Sequence, residues 1–249
     1  MRSLLSALHD SMSFQSRQRP AAVAQARPLP RSEPLSEFSS PPVPNSGWAS
    51  ENFMFGAGMV IIQPSSHKIV VIYDTRDKYW FLPRGRKDMG ESLEATAIRE
   101  AYEESGYQAE FFPLYTPSHA PAPPNDRSIY ERPNTEPFYI TLTSWSPGRG
   151  NRKSGGEYLT SWYIGQIPED AVHTRGTGMP NEQTYTSHLC TYEEAMELVY
   201  SGQRNVLRYA WAVYTHTLEI QENQRYQDQP SASNSPKDTP NQAPVGVQQ

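Results

Sequence analysis

Four glutamates near the middle of the chain are spaced so that their carboxylates can act together. Glu100, Glu103 and Glu104 fall at positions i, i+3 and i+4, which share one face of an α-helix, and Glu91 stands just ahead of them. Like charges at this spacing destabilise an isolated helix by roughly 0.2–0.5 kcal/mol per pair, so a cation has to compensate them. Oxygen-only ligands suit Mg²⁺ or Mn²⁺ better than zinc. The alternative is a solvated acidic helix face that binds no metal.

The residues around the glutamates predict the helix that this arrangement requires. Strong helix formers follow Glu91, and Gly106 is a typical stop signal, so we expect a helix over Leu93–Ser105. Arg99 lies at the level of the glutamates and can orient a carboxylate with its fork of donors. Small and apolar residues form the buried stripe of this helix: Leu93, Ala97 and Ala101.

The stretch from Gly85 to Tyr107 resembles the Nudix box. It reads glycine, five residues, glutamate, seven residues, and then Arg-Glu-Ala-Tyr-Glu-Glu-Ser-Gly-Tyr, so no fixed position of the box is missing. A chance match at seven specified positions is roughly a one-in-a-million event at average residue usage. The resemblance implies an α/β fold, a Nudix-type α/β/α sandwich with a mixed central sheet. It also implies hydrolysis of a diphosphate linked to another moiety, with Mg²⁺ or Mn²⁺ as cofactor.

The same resemblance assigns roles to individual residues. Glu103 and Arg99 are expected to be catalytic, and Gly85, which has no side chain, can bring its carbonyl close to a metal or phosphate. The family varies in which carboxylate is the general base. Glu182 lies in a loop before the last predicted strand, where some members carry that base, and Glu157 is the reserve candidate. The expected metal ligands are Gly85, Glu91, Glu100, Glu103 and Glu104.

Three cations precede the predicted helix, where a polyphosphate would lie: Arg84, Arg86 and Lys87. Solvated loop charges are the alternative interpretation. The entry Trp80-Phe81-Leu82-Pro83-Arg84-Gly85 resembles that of Nudix enzymes acting on diadenosine and diphosphoinositol polyphosphates. The expected partner is therefore a polyphosphorylated small molecule. An RNA-cap or RNA-processing Nudix protein and a non-catalytic Nudix-fold binding module stay open as alternatives.

Seven strands and two further helices are predicted to position this stretch. The first strand is apolar throughout, as expected for a strand buried on both faces. Pro83 ends the third strand, so residues 84–87 are expected to be a loop. Thr191 and Glu194 form a capping box for the second helix, which we expect to run through Tyr200. The strands are 53–62, 68–74, 79–82, 108–114, 138–145, 157–167 and 184–191, and the last helix is 205–219, with Leu207, Trp211, Tyr214 and Leu218 on its core stripe.

The chain is too polar to pack from end to end. It has 249 residues, of which 36% are hydrophobic and 23 are proline. We expect a disordered Pro/Ser/Arg-rich arm at 1–48, a Nudix domain at 49–220 and a disordered tail at 221–249. A proline-rich insertion at about 115–137 is long for a compact domain, and such loops are lids, binding loops or disordered segments.

Charge and cysteine usage narrow the class of partner and the compartment. A net charge of -5 offers no global attraction to nucleic acid or to an anionic membrane, so nucleic acid is possible but not favoured. No apolar run approaches the ~20 residues of a membrane span. Cys190, the single cysteine, is expected to be a buried strand residue, and the six scattered histidines do not suggest zinc. We expect a cytoplasmic protein, with the nucleus, or mitochondria through the basic arm, as alternatives.

Overall fold

The computed structural model describes residues 36–40, 45–146, 155–180 and 182–228. The elements of this part belong to one compact unit that begins at Phe38. Most of the predicted arm and the predicted tail from residue 229 onward lie outside the described residues.

A mixed eight-stranded sheet forms the centre of this unit. Its strands are β1 (Phe53–Gln63), β2 (Lys68–Asp74), β3 (Tyr79–Phe81), β4 (Arg84–Arg86), β5 (Glu110–Phe111), β6 (Tyr139–Trp145), β7 (Gly156–Gln166) and β8 (Tyr185–Cys190). The α-helices are α1 (Leu93–Ser105), α2 (Tyr192–Leu198) and α3 (Arg204–Asp228), with short 3-10 helices at Arg127–Glu131 and Ser201–Gln203.

The sheet is mixed because β1 and β7 run parallel while the other paired strands are antiparallel. The parallel register extends from Phe53 opposite Glu157 to Ile62 opposite Gln166. In β1, Ala57, Met59 and Ile61 pack in the core that contains Ala97 and Ala101 of α1. The alternate residues Val60 and Ile62 pack in the core that contains Leu207 and Tyr214 of α3. Helices therefore cover both faces of the sheet, which confirms the α/β/α sandwich and explains why β1 is apolar from Phe53 to Ile62.

The helix that carries the glutamates has the predicted bounds. Its N-cap is Ser92, whose side chain accepts a hydrogen bond from Ala95 N–H, and Gly106 ends it with φ 73°. The capping box of Thr191 and Glu194 is also present. Cys190 is buried and unpaired, as predicted.

The segment before α1 is not the predicted loop. Residues Arg84–Arg86 form β4, which pairs with β1 so that Gly56 lies opposite Arg86 and Gly58 lies opposite Arg84. Pro83 has no N–H to donate, but its carbonyl accepts a hydrogen bond from Met59 N–H at 3.0 Å. The proline thus ends β3. Its carbonyl makes the first hydrogen bond to β1, and the residues that follow it pair with β1 as the new strand β4.

Three other elements differ from the prediction by two residues or more. β5 covers only two residues, because Pro113 cannot donate to a ladder and the chain then makes an isolated bridge between Leu114 and Asn134. Helix α2 ends at Leu198, two residues before Tyr200. Helix α3 continues to Asp228 rather than ending at Glu219, since residues 220–228 contain neither glycine nor proline. Its last turns therefore occupy the start of the segment predicted as a tail.

Candidate active site

Glu100 lies directly against β4, in space that only a glycine leaves open. A Cβ placed on Gly85 would lie 2.0 Å from the Glu100 carboxylate carbon and from one of its oxygens. No other residue has room at this position without displacing the glutamate. Glu100 is buried, with 7% of the residue exposed, so the glycine of the box sets how closely α1 approaches the sheet.

Arg99 connects the carboxylates on the open side of α1. Its Nε and Nη2 donate to the two oxygens of Glu91, each at 2.9 Å, and its Nη1 donates to Glu100 at 2.8 Å and to Glu103 at 2.9 Å. Nη2 also donates to the carbonyl of Arg86 at 3.0 Å, which ties the helix to β4. The hydrogen bonds from Arg99 lower the pKa of Glu91 to about 2, so this carboxylate is ionised throughout the neutral range.

Glu104 projects from the same helix into the protein. It is 9% exposed, and its Oε2 accepts a hydrogen bond from Arg84 N–H at 2.7 Å. Burial raises the pKa of Glu104 well above its usual value, and the charges of Glu100 and Glu182 add to that rise. Burial raises the pKa of Glu100 as well. Two buried carboxylates whose ionised forms are disfavoured mark a place where a further cation would be stabilising.

The donor set fits a hard divalent cation. Within the described residues, no group of three or more His, Cys, Asp or Glu side chains is already arranged to hold a metal ion. Arg99 instead draws Glu91, Glu100 and Glu103 around its guanidinium, while Glu104 faces the β4 backbone. Four clustered carboxylates, two of them buried, are nevertheless the oxygen ligands that Mg²⁺ and Mn²⁺ prefer.

The predicted base, Glu182, is brought to the box by the loop between β7 and β8. It borders a cavity of about 630 Å³ that Glu103 and Glu104 also border. Its Oε2 accepts a hydrogen bond from Met179 N–H at 2.8 Å. The reserve candidate, Glu157, lies at the start of β7 opposite Phe53 and does not border this cavity.

A second, smaller cavity of about 210 Å³ adjoins the first through Glu104, which borders both. Its walls are largely aromatic, and the Arg84 guanidinium carbon lies 5.7 Å from the centre of the Tyr158 ring. Tyr79 stacks on Phe81 with ring centres 5.2 Å apart. The residues around the cavity are Tyr79, Phe81, Arg84, Glu104, Tyr158 and Tyr200.

The sequence did not reveal this aromatic cavity, because its residues come from separate elements. The one local signal was that two aromatic residues at alternate positions, Tyr79 and Phe81, are followed by the cation Arg84. Of the three cations predicted to hold phosphate, Arg84 borders the cavity, while Arg86 is exposed and borders neither cavity. Lys87 also borders neither, and its Nζ donates to the carbonyl of Asp88 at 3.1 Å. The basic loop around 149–153 lies outside the described residues.

The α/β/α sandwich, together with the acidic helix α1 that packs against β4 at Gly85, defines the class of domain. Residues 53–171 match the family model described as NUDIX domain, so this part of the chain is a Nudix domain. No helix in the described part of the chain is both long and apolar enough to cross a bilayer.

Individual proteins resemble this chain either over a short segment or at low sequence identity. A segment of 50 residues, 20% of this chain, is 44% identical to a "Putative 8-oxo-dGTP diphosphatase" of Bacillus subtilis (strain 168), and it spans 34% of that protein. An Ap4A hydrolase of C. elegans in a binary complex is 15% identical, with a TM-score of 0.41, over 66% of this chain and 98% of the other. A NUDIX hydrolase from Nitrosomonas europaea is 14% identical, with a TM-score of 0.40, over 64% and 90%. Structural likeness at this level carries no information about substrate.

Proposed function

We propose that this protein hydrolyses a diphosphate linkage in a nucleoside polyphosphate, with Mg²⁺ or Mn²⁺ as cofactor. The observation that carries the proposal is Glu104. This buried carboxylate belongs to the acidic box and borders both a cavity that contains Glu182 and a cavity with aromatic walls. A phosphate chain seated beside Glu104 would therefore have a base on one side and room for a planar group on the other.

The chain's own residues supply positioning and proton transfer. Glu91, Glu100, Glu103 and Glu104 would hold the cation, with the Gly85 carbonyl as a further ligand. When bound, the cation would offset the charge of the phosphate oxygens and lower the pKa of a water. Arg99 fixes the carboxylates relative to one another through its hydrogen bonds to three of them.

Glu182 is the proposed general base, which takes the proton of the attacking water. Its carboxylate is anchored by Met179 N–H through one oxygen, Oε2, and Oε1 is the atom that we propose accepts the proton. Glu103 is the alternative base, because it borders the same cavity and is 26% exposed.

The aromatic cavity favours a nucleoside over an inositol substrate. Base–aromatic stacking contributes roughly 1–3 kcal/mol per base, whereas an inositol ring has no π-face to stack. Arg84 adds a cation at the edge of this cavity, where it can pair with a phosphate next to the sugar. The name of the Bacillus subtilis relative, a nucleotide diphosphatase, agrees with this choice. Arg86 and Lys87 would contact phosphates further along the polyphosphate of the substrate.

A product analysis tests the proposal. The full chain is incubated with Mg²⁺ and dinucleoside polyphosphates, nucleoside triphosphates, ADP-ribose, NADH, diphosphoinositol polyphosphates and capped RNA, and the products are identified by mass spectrometry. We expect cleavage of a phosphoanhydride in a nucleotide. We also expect Tyr79→Ala to raise KM for that nucleotide more than Tyr79→Phe does. Cleavage of the inositol compounds alone would refute the nucleoside assignment, and no cleavage of any compound would refute the enzymatic one.

A further inference from the structure

The loop that carries Glu182 contacts the end of α1 at two points: Thr174 N–H donates to the carbonyl of the C-cap Gly106 at 2.9 Å, and the Thr177 hydroxyl bonds to the last turn. Thr177 Oγ1 lies 3.0 Å from the carbonyl oxygen of Tyr102 and 2.9 Å from that of Glu103, and it donates to this pair. Both carbonyls belong to the last turn of the helix. The Tyr102 carbonyl also accepts the N–H of the C-cap Gly106 at 2.8 Å, whereas the Glu103 carbonyl lies where helices run out of N–H donors. Thr177 is therefore bonded to the backbone of the glutamate that lies in the centre of the box.

The next residue leaves no space between the loop and the helix. A Cβ on Gly178 would lie 2.9 Å from the carbonyl oxygen of Glu103 and 2.9 Å from Oε2 of Glu182. Positive φ values among the described glycines occur at Gly90, Gly106 and Gly176, so Gly178 is required by close packing rather than by its backbone conformation. Gly178 thus lies between the Glu182 carboxylate and the backbone of Glu103, and its missing side chain lets the two approach each other.

The loop then closes on itself around Glu182. Met179 N–H donates to Glu182 Oε2 at 2.8 Å, and the Gln183 side-chain amide donates to the Gly178 carbonyl at 2.8 Å. From the helix carbonyls to the carboxylate, the connection runs through three consecutive residues, 177 to 179. A shift at Thr177 would be passed to Glu182 with little slack, because each step is a covalent bond or a short hydrogen bond.

We propose that Thr177 is a positioning residue that fixes the distance between Glu182 and the box carboxylates by bonding the loop to the end of α1. This inference rests on the proposed function, since it assigns to Thr177 the placement of the proposed base. A base must come within about 3 Å of the proton that it takes, and a misplacement of about 1 Å can cost 100-fold in rate. A loop without regular structure does not meet that requirement unaided.

The competing explanation is that Thr177 only satisfies helix carbonyls. The chain offers a matched control, because Ser187 on β8 donates its hydroxyl proton to the Ser105 carbonyl at 2.7 Å, at the same end of α1. Ser187→Ala removes a hydrogen bond to the same helix end but leaves the loop contact intact. Thr177→Val removes the hydroxyl contact at nearly constant shape and leaves the bond from Thr174 N–H to the Gly106 carbonyl in place, and Thr177→Ser restores the hydroxyl.

Steady-state kinetics on the full-length protein, with the nucleotide that it cleaves, test the inference together with melting temperatures. We expect Thr177→Val to lower kcat by about 10- to 100-fold with KM little changed. Thr177→Ser and Ser187→Ala should stay close to wild type. In a Glu182→Gln background, which is already impaired, Thr177→Val should cause no further loss, since the group that it positions is gone.

Equal losses of kcat in Thr177→Val and Ser187→Ala would overturn the inference in favour of a capping role. So would a Thr177→Val loss of the same factor with and without Glu182, or a Glu182→Gln variant as active as wild type. Each of these results leaves the proposed hydrolase activity standing. A wild-type protein that turns over no phosphoanhydride overturns both proposals.

Discussion

Glu104 combines two properties that oppose each other, burial and negative charge. It lies near Glu100 and Glu182, and burial together with their charges raises its pKa. A carboxylate in such a place costs stability that a bound cation would return, as is common where a site is built for function.

We therefore expect Glu104→Gln to be more stable than wild type when divalent cations are removed. The substitution keeps the shape of the side chain and an oxygen for Arg84 N–H, but removes a buried charge. A gain of about 1 kcal/mol would raise the melting temperature by about 2–4 °C. Addition of Mg²⁺ should then stabilise the variant less than it stabilises wild type.

Thermal melts in EDTA and in Mg²⁺ measure both effects. Glu110→Gln, on an exposed position of β5, is the control for loss of one acidic charge. A variant that melts below wild type in EDTA, and still gains as much from Mg²⁺, would contradict the assignment of Glu104 to the cation.

At the scale of elements, the junction of β4 and α1 determines whether the box can form. The missing side chain of Gly85 is the space that Glu100 occupies. Gly85→Ala should push Glu100 away from β4 and disturb its hydrogen bond from Arg99, which is 2.8 Å long in the native protein. We expect kcat to fall by about 100-fold or more, in line with the cost of a displaced catalytic group.

Activity and melting temperature of Gly85→Ala are compared with those of Gly47→Ala, where a Cβ would meet nothing within 4 Å. The control should match wild type in both measurements. Full activity of Gly85→Ala would show that the approach of Glu100 to β4 does not matter for turnover.

Asp74 joins β2 to the beginning of β8 and thus to the loop that carries Glu182. Burial works against its ionisation, but hydrogen bonds from Arg76 N–H and Thr184 Oγ1 hold its pKa below the usual value of 3.8. A lowered pKa means that ionised Asp74 stabilises the fold at pH values above the pKa that Asp74 has in the unfolded chain. This contribution is lost as the pH falls through the folded-state pKa.

Asp74→Asn should accordingly be less stable than wild type at pH 7, and the gap should narrow below about pH 4. Urea denaturation at pH 7, 5 and 3.5 measures the free energy of unfolding of both proteins. A gap that stays constant over this range would mean that the ionised form of Asp74 contributes nothing.

Local signals explain which elements could be predicted from the sequence. Helix α1 was predicted to the residue because its helix formers, its apolar stripe and its terminal glycine all lie within fourteen positions. Strand β4 was missed because its existence depends on pairing with β1, almost thirty residues away. The end of α3 was missed because polar residues without a buried stripe resemble a tail, although nothing in them breaks a helix.

At the scale of the whole molecule, the site extends past the segment that matches the family. That segment ends at residue 171, whereas Thr177, Glu182 and Tyr200 all contribute to the two cavities or to the loop that forms them. β8 holds this later segment in place by pairing with β2 from Ile69 opposite Cys190 to Asp74 opposite Tyr185. The motif alone therefore predicted the reaction class, while the aromatic cavity required the folded chain.

The central claim is that the box carboxylates, with a divalent cation, cleave a phosphoanhydride. The most direct measurement is the rate of nucleotide cleavage by full-length wild type in saturating Mg²⁺, by wild type in EDTA, and by Glu103→Gln in Mg²⁺. Glu103 is partly exposed, so the substitution should leave the circular dichroism spectrum and melting temperature near those of wild type. We predict cleavage in the first sample and rates lower by about 100-fold or more in the other two. Wild-type rates in EDTA, or in Glu103→Gln, would contradict the account.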